Sequence, residues 1–294
     1  MLSADILRRI FDSIGPIDQS AIRTVDGGSI NRSFKVPTLD GAVYFLKTNN
    51  ASAVDMFSAE RDGLLELEKA GAIKVPAVVT VDRVGDTAFL LMEYLNLCGQ
   101  STLAGSRLGE LLAKQHQYKS TEFGWYRDNT IGSTPQRNEW GDDWISFFGE
   151  KRLGYQLNLA VSKGFNVGPA RNLLKRGEKL VQRLPDFFVG YHPQPSLLHG
   201  DLWSGNWGVI ADEQPVIFDP AVYYGDREAD IAMTRLFGGF GAEFFAAYNE
   251  AWPLDDGFER RCDLYNLYHV LNHLNLFGDS YLSQVSDMLD RLLM

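Results

Sequence analysis

The sequence predicts an α+β fold of two lobes, a small antiparallel sheet followed by a larger, mainly helical body. Three observations carry this expectation. Between about residues 21 and 95, short β-rich runs are punctuated by Gly-containing turns; after "EYLNLCGQS" apolar residues recur at helical spacing; and a short β segment around 197–218 interrupts the helical part. The expected division is 1–95 and 96–294.

In chain order, "MLSADILRRIFDSIG" places Leu2, Ile6, Ile10 and Ile14 one helical repeat apart with charges between, which predicts an amphipathic helix and not an export signal. The runs "AIRTV", "SFKV", "AVYFLK", "AVVTVDRV" and "TAFLLMEYL" read as strands. Asp40-Gly41 and Gly85-Asp86 mark hairpin turns, so the sheet is antiparallel. One helix interrupts it, "DMFSAERDGLLELEKAG", with Phe57, Leu64, Leu65 and Glu68 at helical spacing and Gly71 as its stop. The next helix, "TLAGSRLGELLAKQHQ", carries Leu108, Leu111, Leu112 and Gln115 on one face. Lys119 to Trp140 shows Gly, Pro and Asn punctuation without a period, so it reads as a long ordered loop, a kind of segment that is usually functional.

Composition narrows the function classes. The 294 residues are 45% hydrophobic, enough for two lobes with buried cores. Lys and Arg number 28 against 38 Asp and Glu, a net charge of -10 that opposes an extended nucleic-acid footprint or an anionic membrane partner. No apolar run approaches the roughly 20 residues of a spanning helix. Cys98 and Cys262 are far apart, so neither a disulfide framework nor a thiolate metal site is indicated, and a soluble protein of the reducing cytoplasm is expected.

The stretch "LLHGDLWSGNWGVI" breaks two apolar runs with Asp201 and Asn206, whose side chains can project into one cleft. A carboxylate there can accept a hydroxyl proton while the amide oxygen holds a metal ion. Asp219 follows the apolar run "VIF", where a strand end would aim it at the same point. Two carboxylates and an amide around a metal suit phosphoryl transfer, and an Asp-x-x-x-x-Asn followed by a strand-terminal Asp is the kinase arrangement. The N-terminal half should then supply a phosphate cradle and a lysine. "VDGGSINRSFKV" offers Gly27, Gly28 and Ser29 between two strands, and "YFLK" puts Lys47 on the third strand with Val43 and Phe45 on its face. Glu60, early in the following helix, would hold the ammonium. The connector "LLMEYL" offers an adenine ring the backbone groups of Glu93 to Leu95.

With those residues in place, "HGDLWSGN", "IFDP", "GDREADIAM", "FGWYRDNTIGSTPQ" and "NHLNLFG" resemble the fructosamine kinase family, within the protein-kinase-like fold shared with aminoglycoside phosphotransferases. The likeness runs over nearly the whole chain. It implies an ATP- and Mg2+-dependent phosphorylation of ketosamines, free or on glycated proteins, in a deglycation role. By resemblance Asp201 is the base on the sugar 3-hydroxyl, Asn206 and Asp219 bind Mg2+, Lys47 holds the ATP phosphates with Glu60 as partner, and Trp203 and His273 face the ketosamine. Ser29 stands where eukaryotic members often carry Cys, which argues against a thiol switch in that loop.

Plainer readings exist for each residue. A lone loop Asp is ordinarily a turn residue or cap, so the constellation carries the reading and Asp201 alone does not. Glu60 also complements a helix dipole, Gly27-Gly28 also suits a simple hairpin, Trp203 also fills core volume, and His273 also suits a packed core. Lys47 is costly to bury without a partner. His199 reads as a packed imidazole bracing the loop, and Asp230 as a brace from the next helix. The rival functions are a kinase of another hydroxyl compound, of aminoglycoside or choline type, and a nucleotide-binding pseudokinase.

Overall fold

Strands β1 (Arg23–Val25), β2 (Arg32–Pro37), β3 (Val43–Asn50), β4 (Val78–Val84) and β5 (Thr87–Glu93) form one antiparallel sheet in the order β1-β2-β3-β5-β4. The computed structural model describes residues 2–25, 30–166 and 171–294. Alternation along the central strands sends side chains to two different cores. Phe34, Val36, Leu46, Phe89 and Leu91 pack on Ile6 and Ile10 of helix α1 (Ala4–Ile14), whose first turn is capped by the Ser3 hydroxyl. Ala88, Leu90 and Met92 face the other way, against helix α2 (Val54–Ala70). Lys47, the neighbour of Leu46, therefore lies on the α2 face.

Helix α2 ends at Gly71 in the left-handed conformation. Its inner face is Phe57, Ala59, Gly63, Leu64 and Leu67, whereas Leu65 and Glu68 are exposed. The expected inner face is thus corrected. At 100° per residue Leu67 joins Leu64 and Phe57 on the buried stripe, and Leu65 is turned off it.

The remaining chain is mainly helical: α3 (Thr102–His116), α4 (Trp144–Phe147) running through a π-helical segment (Phe148–Gly154) into α5 (Tyr155–Ser162), and α6 (Leu173–Gln182). Then come α7 (Glu228–Leu236), α8 (Ala242–Ala251), α9 (Phe258–Phe277) and α10 (Leu282–Leu293). One continuous apolar core joins the α2 face of the sheet to this helical body, giving a two-lobed α+β molecule. Residues 119–140, expected as one long loop, contain a small hairpin of β6 (Asn129–Ile131) and β7 (Thr134–Gln136). Strands of three residues are too short to print a period. The β segment around 197–218 resolves into two ladders, β8 (Ser196–Leu198) with β11 (Tyr223–Gly225) and β9 (Trp207–Ile210) with β10 (Gln214–Ile217). Among the described residues no helix is long and apolar enough to cross a membrane.

Candidate active site

The two ladders bring the distant acids together. Antiparallel pairing of β8 with β11 lays Ala221 against His199, with Ala221 N–H donating to the His199 carbonyl at 2.9 Å. Gly200 sits at φ 82, and a Cβ there would come within 2.0 Å of the Ala221 carbonyl oxygen. Only glycine lets these backbones touch. The β9–β10 hairpin closes the other side, where Phe218 N–H donates to the Asn206 carbonyl at 3.0 Å. Asp219 follows immediately, in the left-handed region at φ 56, a conformation costing about 1 kcal/mol or more for a non-glycine residue. Asn206 is the hub. Its Nδ2 donates to the Asp201 carbonyl at 2.8 Å, to Asp201 Oδ2 at 3.3 Å and to the Asp219 carbonyl at 3.4 Å.

That geometry leaves the Asn206 amide oxygen and one Asp219 carboxylate oxygen as hard donors, the set that suits Mg2+. The described residues hold no cluster of three or more His, Cys, Asp or Glu able to bind a metal alone. Mg2+ does not need one, since it commonly takes one or two carboxylates together with substrate phosphates and water. The residues fit the ion.

Lys47 arrives from the opposite lobe. Its buried Nζ donates to Glu60 Oε1 at 2.6 Å and to Asp219 Oδ1 at 2.5 Å. Burial alone would lower its pKa, yet the charges of Asp219 and Glu60 outweigh burial and raise it, so the side chain is a cation. The sheet, α2 and the β10 end thus meet at one ammonium.

Asp201 behaves differently. Burial first, then the charges of Asp219 and Asp230, push its carboxyl up to about 7 against the lowering bond from Asn206. A carboxylate poised near neutrality is what a general base requires. Behind it, Asp230 on α7 accepts the backbone N–H groups of His199 at 2.7 Å and Gly200 at 2.9 Å. His199 Nε2 lies 3.0 Å from the Phe218 carbonyl, and Asp201 N–H donates to His199 Nδ1 at 3.3 Å. Those partners assign one tautomer, neutral with the proton on Nε2, which makes His199 a strut and not a base. His116, at the end of α3, completes the brace between Asp230 and the Tyr248 hydroxyl. Sequence reasoning overlooked His116, although Leu108, Leu112 and His116 share one buried helical stripe.

The other expected site residues are spread around this centre. Trp203 remains 38% exposed, with its ring over Gly205, where a Cβ would come within 2.3 Å of the indole. His273 stacks on Phe277 and Tyr281 and meets Phe237 edge-on. Two residues beyond Phe237, Gly239 abuts Ser204, so the turn after α7 links His273 to the Trp203 rim. The Glu93 carboxylate is taken by Lys74 and by Ala77 N–H, and its own N–H donates to the Ala77 carbonyl. Gly27, Gly28 and Ser29 lie outside the described residues.

The fructosamine kinase family model matches residues 4–294. The chain belongs to the fructosamine kinase family. A Synechocystis relative named as a probable ketoamine kinase is 43% identical over 92% of this chain and 90% of its own. The chloroplastic protein-ribulosamine 3-kinase of Arabidopsis thaliana is 40% identical over 98% of this chain and 88% of its own. A solved Haemophilus somnus structure, described as a candidate fructosamine-3-kinase, superposes with a TM-score of 0.88 at 31% identity over 99% of this chain and 97% of its own. The complex of streptomycin, ATP and APH(2″)-IIa shares the fold, with a TM-score of 0.63 at 15% identity over 100% of this chain and 99% of its own. This family member is therefore a phosphotransferase acting on an alcohol group, with the protein-kinase-like fold.

One stability prediction arises from α9. Burial first, then the charge of His273, depresses His269 from 6.5 to about 3, so the folded protein keeps it neutral while the unfolded chain protonates it below 6.5. Its contribution is complete above that pH and is lost on acidification at about 1.4 kcal/mol per unit. Urea midpoints of the wild type should fall more steeply below about pH 6.5 than those of His269→Asn. Parallel curves would remove His269 from the account.

Proposed function

We propose that the chain transfers the γ-phosphoryl group of ATP to the sugar 3-hydroxyl of a ketosamine, fructosamine or ribulosamine, as a deglycating kinase of free or protein-bound adducts. The observation that carries this is the convergence of Lys47, Glu60 and Asp219 with the Asp201–Asn206 pair. In this reading residues 1–95 form the nucleotide lobe and residues 96–294 the catalytic and acceptor lobe. Lys47 binds phosphate oxygens with Glu60 fixing its position, and the backbone of Glu93 and Leu95 receives the adenine. Asn206 and Asp219 hold Mg2+, which when bound offsets negative charge on the phosphates. Asp201 orients the acceptor hydroxyl and takes its proton as that oxygen forms its bond to the γ-phosphorus. The bond to the bridging oxygen breaks and ADP leaves. Trp203 and His273 line the ketosamine side, where an exposed indole suits stacking on the substrate. Both cysteines are free thiols, which suits a reducing cytoplasm.

The deciding assay is Mg2+-dependent ADP release with a ribulosamine, a fructosamine, choline and an aminoglycoside as acceptors. Turnover confined to ketosamines is expected. Turnover only with choline or the aminoglycoside would move the substrate, and ATP binding without turnover on any acceptor would favour a pseudokinase.

A further inference from the structure

The segment 123–138 reaches in two directions at once. Toward the catalytic lobe, Asn129 Nδ2 donates to the Val222 carbonyl at 2.8 Å and Gln136 Nε2 to the Ala221 carbonyl at 3.0 Å. These carbonyls belong to the link that leads from Asp219 into β11. The two side chains also bond each other at 2.9 Å, and Tyr268 on α9 donates to Gln136 Oε1 at 2.7 Å. Asn129, Gln136 and Asn138 are all buried. Toward the nucleotide lobe, Arg127 Nη1 pairs with Asp62 Oδ2 at 2.5 Å and Nη2 donates to the Asp55 carbonyl at 3.3 Å. Tyr126 and Arg61 also hydrogen bond to Asp62, and these bonds outweigh burial to hold its carboxyl below the usual range. A parallel tie runs from the Tyr224 hydroxyl to Glu66 Oε1 at 2.7 Å.

Asp55 and Asp62 are two turns apart on one side of α2. Glu60 precedes Asp62 by two positions, about 200° around the axis. The helix is therefore gripped on one side from the catalytic lobe while it presents Glu60 to Lys47 on another. In protein kinases the Lys–Glu pair and the metal-binding Asp must both be in place, and movement of the Glu-bearing helix makes or breaks that arrangement.

We infer that the 123–138 segment is a built-in clamp, with Arg127 as a positioning residue that ties α2 to the Asp219–Val222 segment so that Lys47, Glu60 and Asp219 stay assembled without a second signal. The inference rests on the nucleotide-site reading above. It assigns this segment to the nucleotide side. Because Arg127 pairs with Asp62 and the Asp55 carbonyl, both on α2, its loss should act through the placement of Glu60 and Lys47, and so on ATP and not on the acceptor.

Steady-state kinetics on Arg127→Ala, Arg127→Lys and Lys47→Ala test this, with a melting curve for each. Arg127→Ala should raise KM for ATP about tenfold, equivalent to about 1.4 kcal/mol, with kcat and KM for the ketosamine within about twofold of wild type. Arg127→Lys keeps the charge opposite Asp62 but loses the forked second contact to Asp55, so it should recover part of the loss. An unchanged KM for ATP in Arg127→Ala, with a raised one in Lys47→Ala, would overturn the clamp and leave the nucleotide site standing. If Lys47→Ala also leaves ATP unaffected, the site reading fails and the clamp with it. A joint fall in kcat, both affinities and melting temperature, unrelieved by Arg127→Lys, would make Arg127 merely structural and overturn the inference.

Discussion

Asp201→Asn is expected to lower kcat by about three orders of magnitude while the Kd for ATP stays within about twofold of wild type. The amide is close to isosteric with the carboxylate, so the Asn206 bond to the Asp201 carbonyl at 2.8 Å, which does not involve the replaced group, should keep the loop in place. What is lost is the ability to accept a proton. The nucleotide, held on this reading by Lys47 with Glu60 and Asp219, sits on the other side of the cleft and should not register the change. The test pairs ADP release, with a ketosamine as acceptor, with calorimetric ATP binding on the same preparation. Near wild-type turnover would remove Asp201 as the base. Loss of ATP binding together with turnover would mean that the substitution had disturbed the Asn206 hub.

Much of this centre was legible because its chemistry is written locally. Asp201 and Asn206 share one loop, Asp219 ends an apolar run, and Lys47 follows one, so spacing and alternation alone assembled the candidates. The parts that were not legible depend on partners far along the chain. His116 matters because Asp230 and Tyr248 sit on its two ring nitrogens, 114 and 132 positions away. Arg127 matters through Asp62, 65 positions earlier. Neither pairing leaves a periodic trace. The hairpin at Asn129–Gln136 escaped for a different reason, because its side chains serve polar contacts with Ala221 and Val222, so the usual alternation of apolar and polar positions is missing. Asp230 was readable as a brace from "GDREADIAM", but the number of donors it satisfies is a property of the fold.

Those donors make Asp230→Ala the substitution with the largest expected effect on stability. The carboxylate accepts from His199 N–H at 2.7 Å, Gly200 N–H at 2.9 Å and His116 Nε2 at 3.2 Å, all in a site closed to solvent. Burial would raise its pKa, but the His116 imidazole first, together with the bond from the Gly200 amide, more than compensates and holds it below the ordinary carboxylate range. Removing the acceptor strands two backbone amides and an imidazole N–H without water. At roughly 1–3 kcal/mol for each buried unsatisfied donor, part of it relieved by local movement, the expected loss is about 3–5 kcal/mol. For a chain of this size that is a fall in melting temperature on the order of 10 °C. Asp230→Asn keeps one oxygen but turns an NH2 toward a donor, so it should fall between the alanine variant and the wild type. Turnover should decline in the same order, because the His199–Gly200 backbone that sets the direction of Asp201 is released. Hydrogen exchange would locate the effect, with faster exchange expected at the amides of His199 and Gly200 in both variants. An Asp230→Ala protein that melts within about 1 °C of wild type would show that water or a neighbouring group satisfies those amides, and that Asp201 owes its direction to Asn206 and the Gly200–Ala221 contact instead.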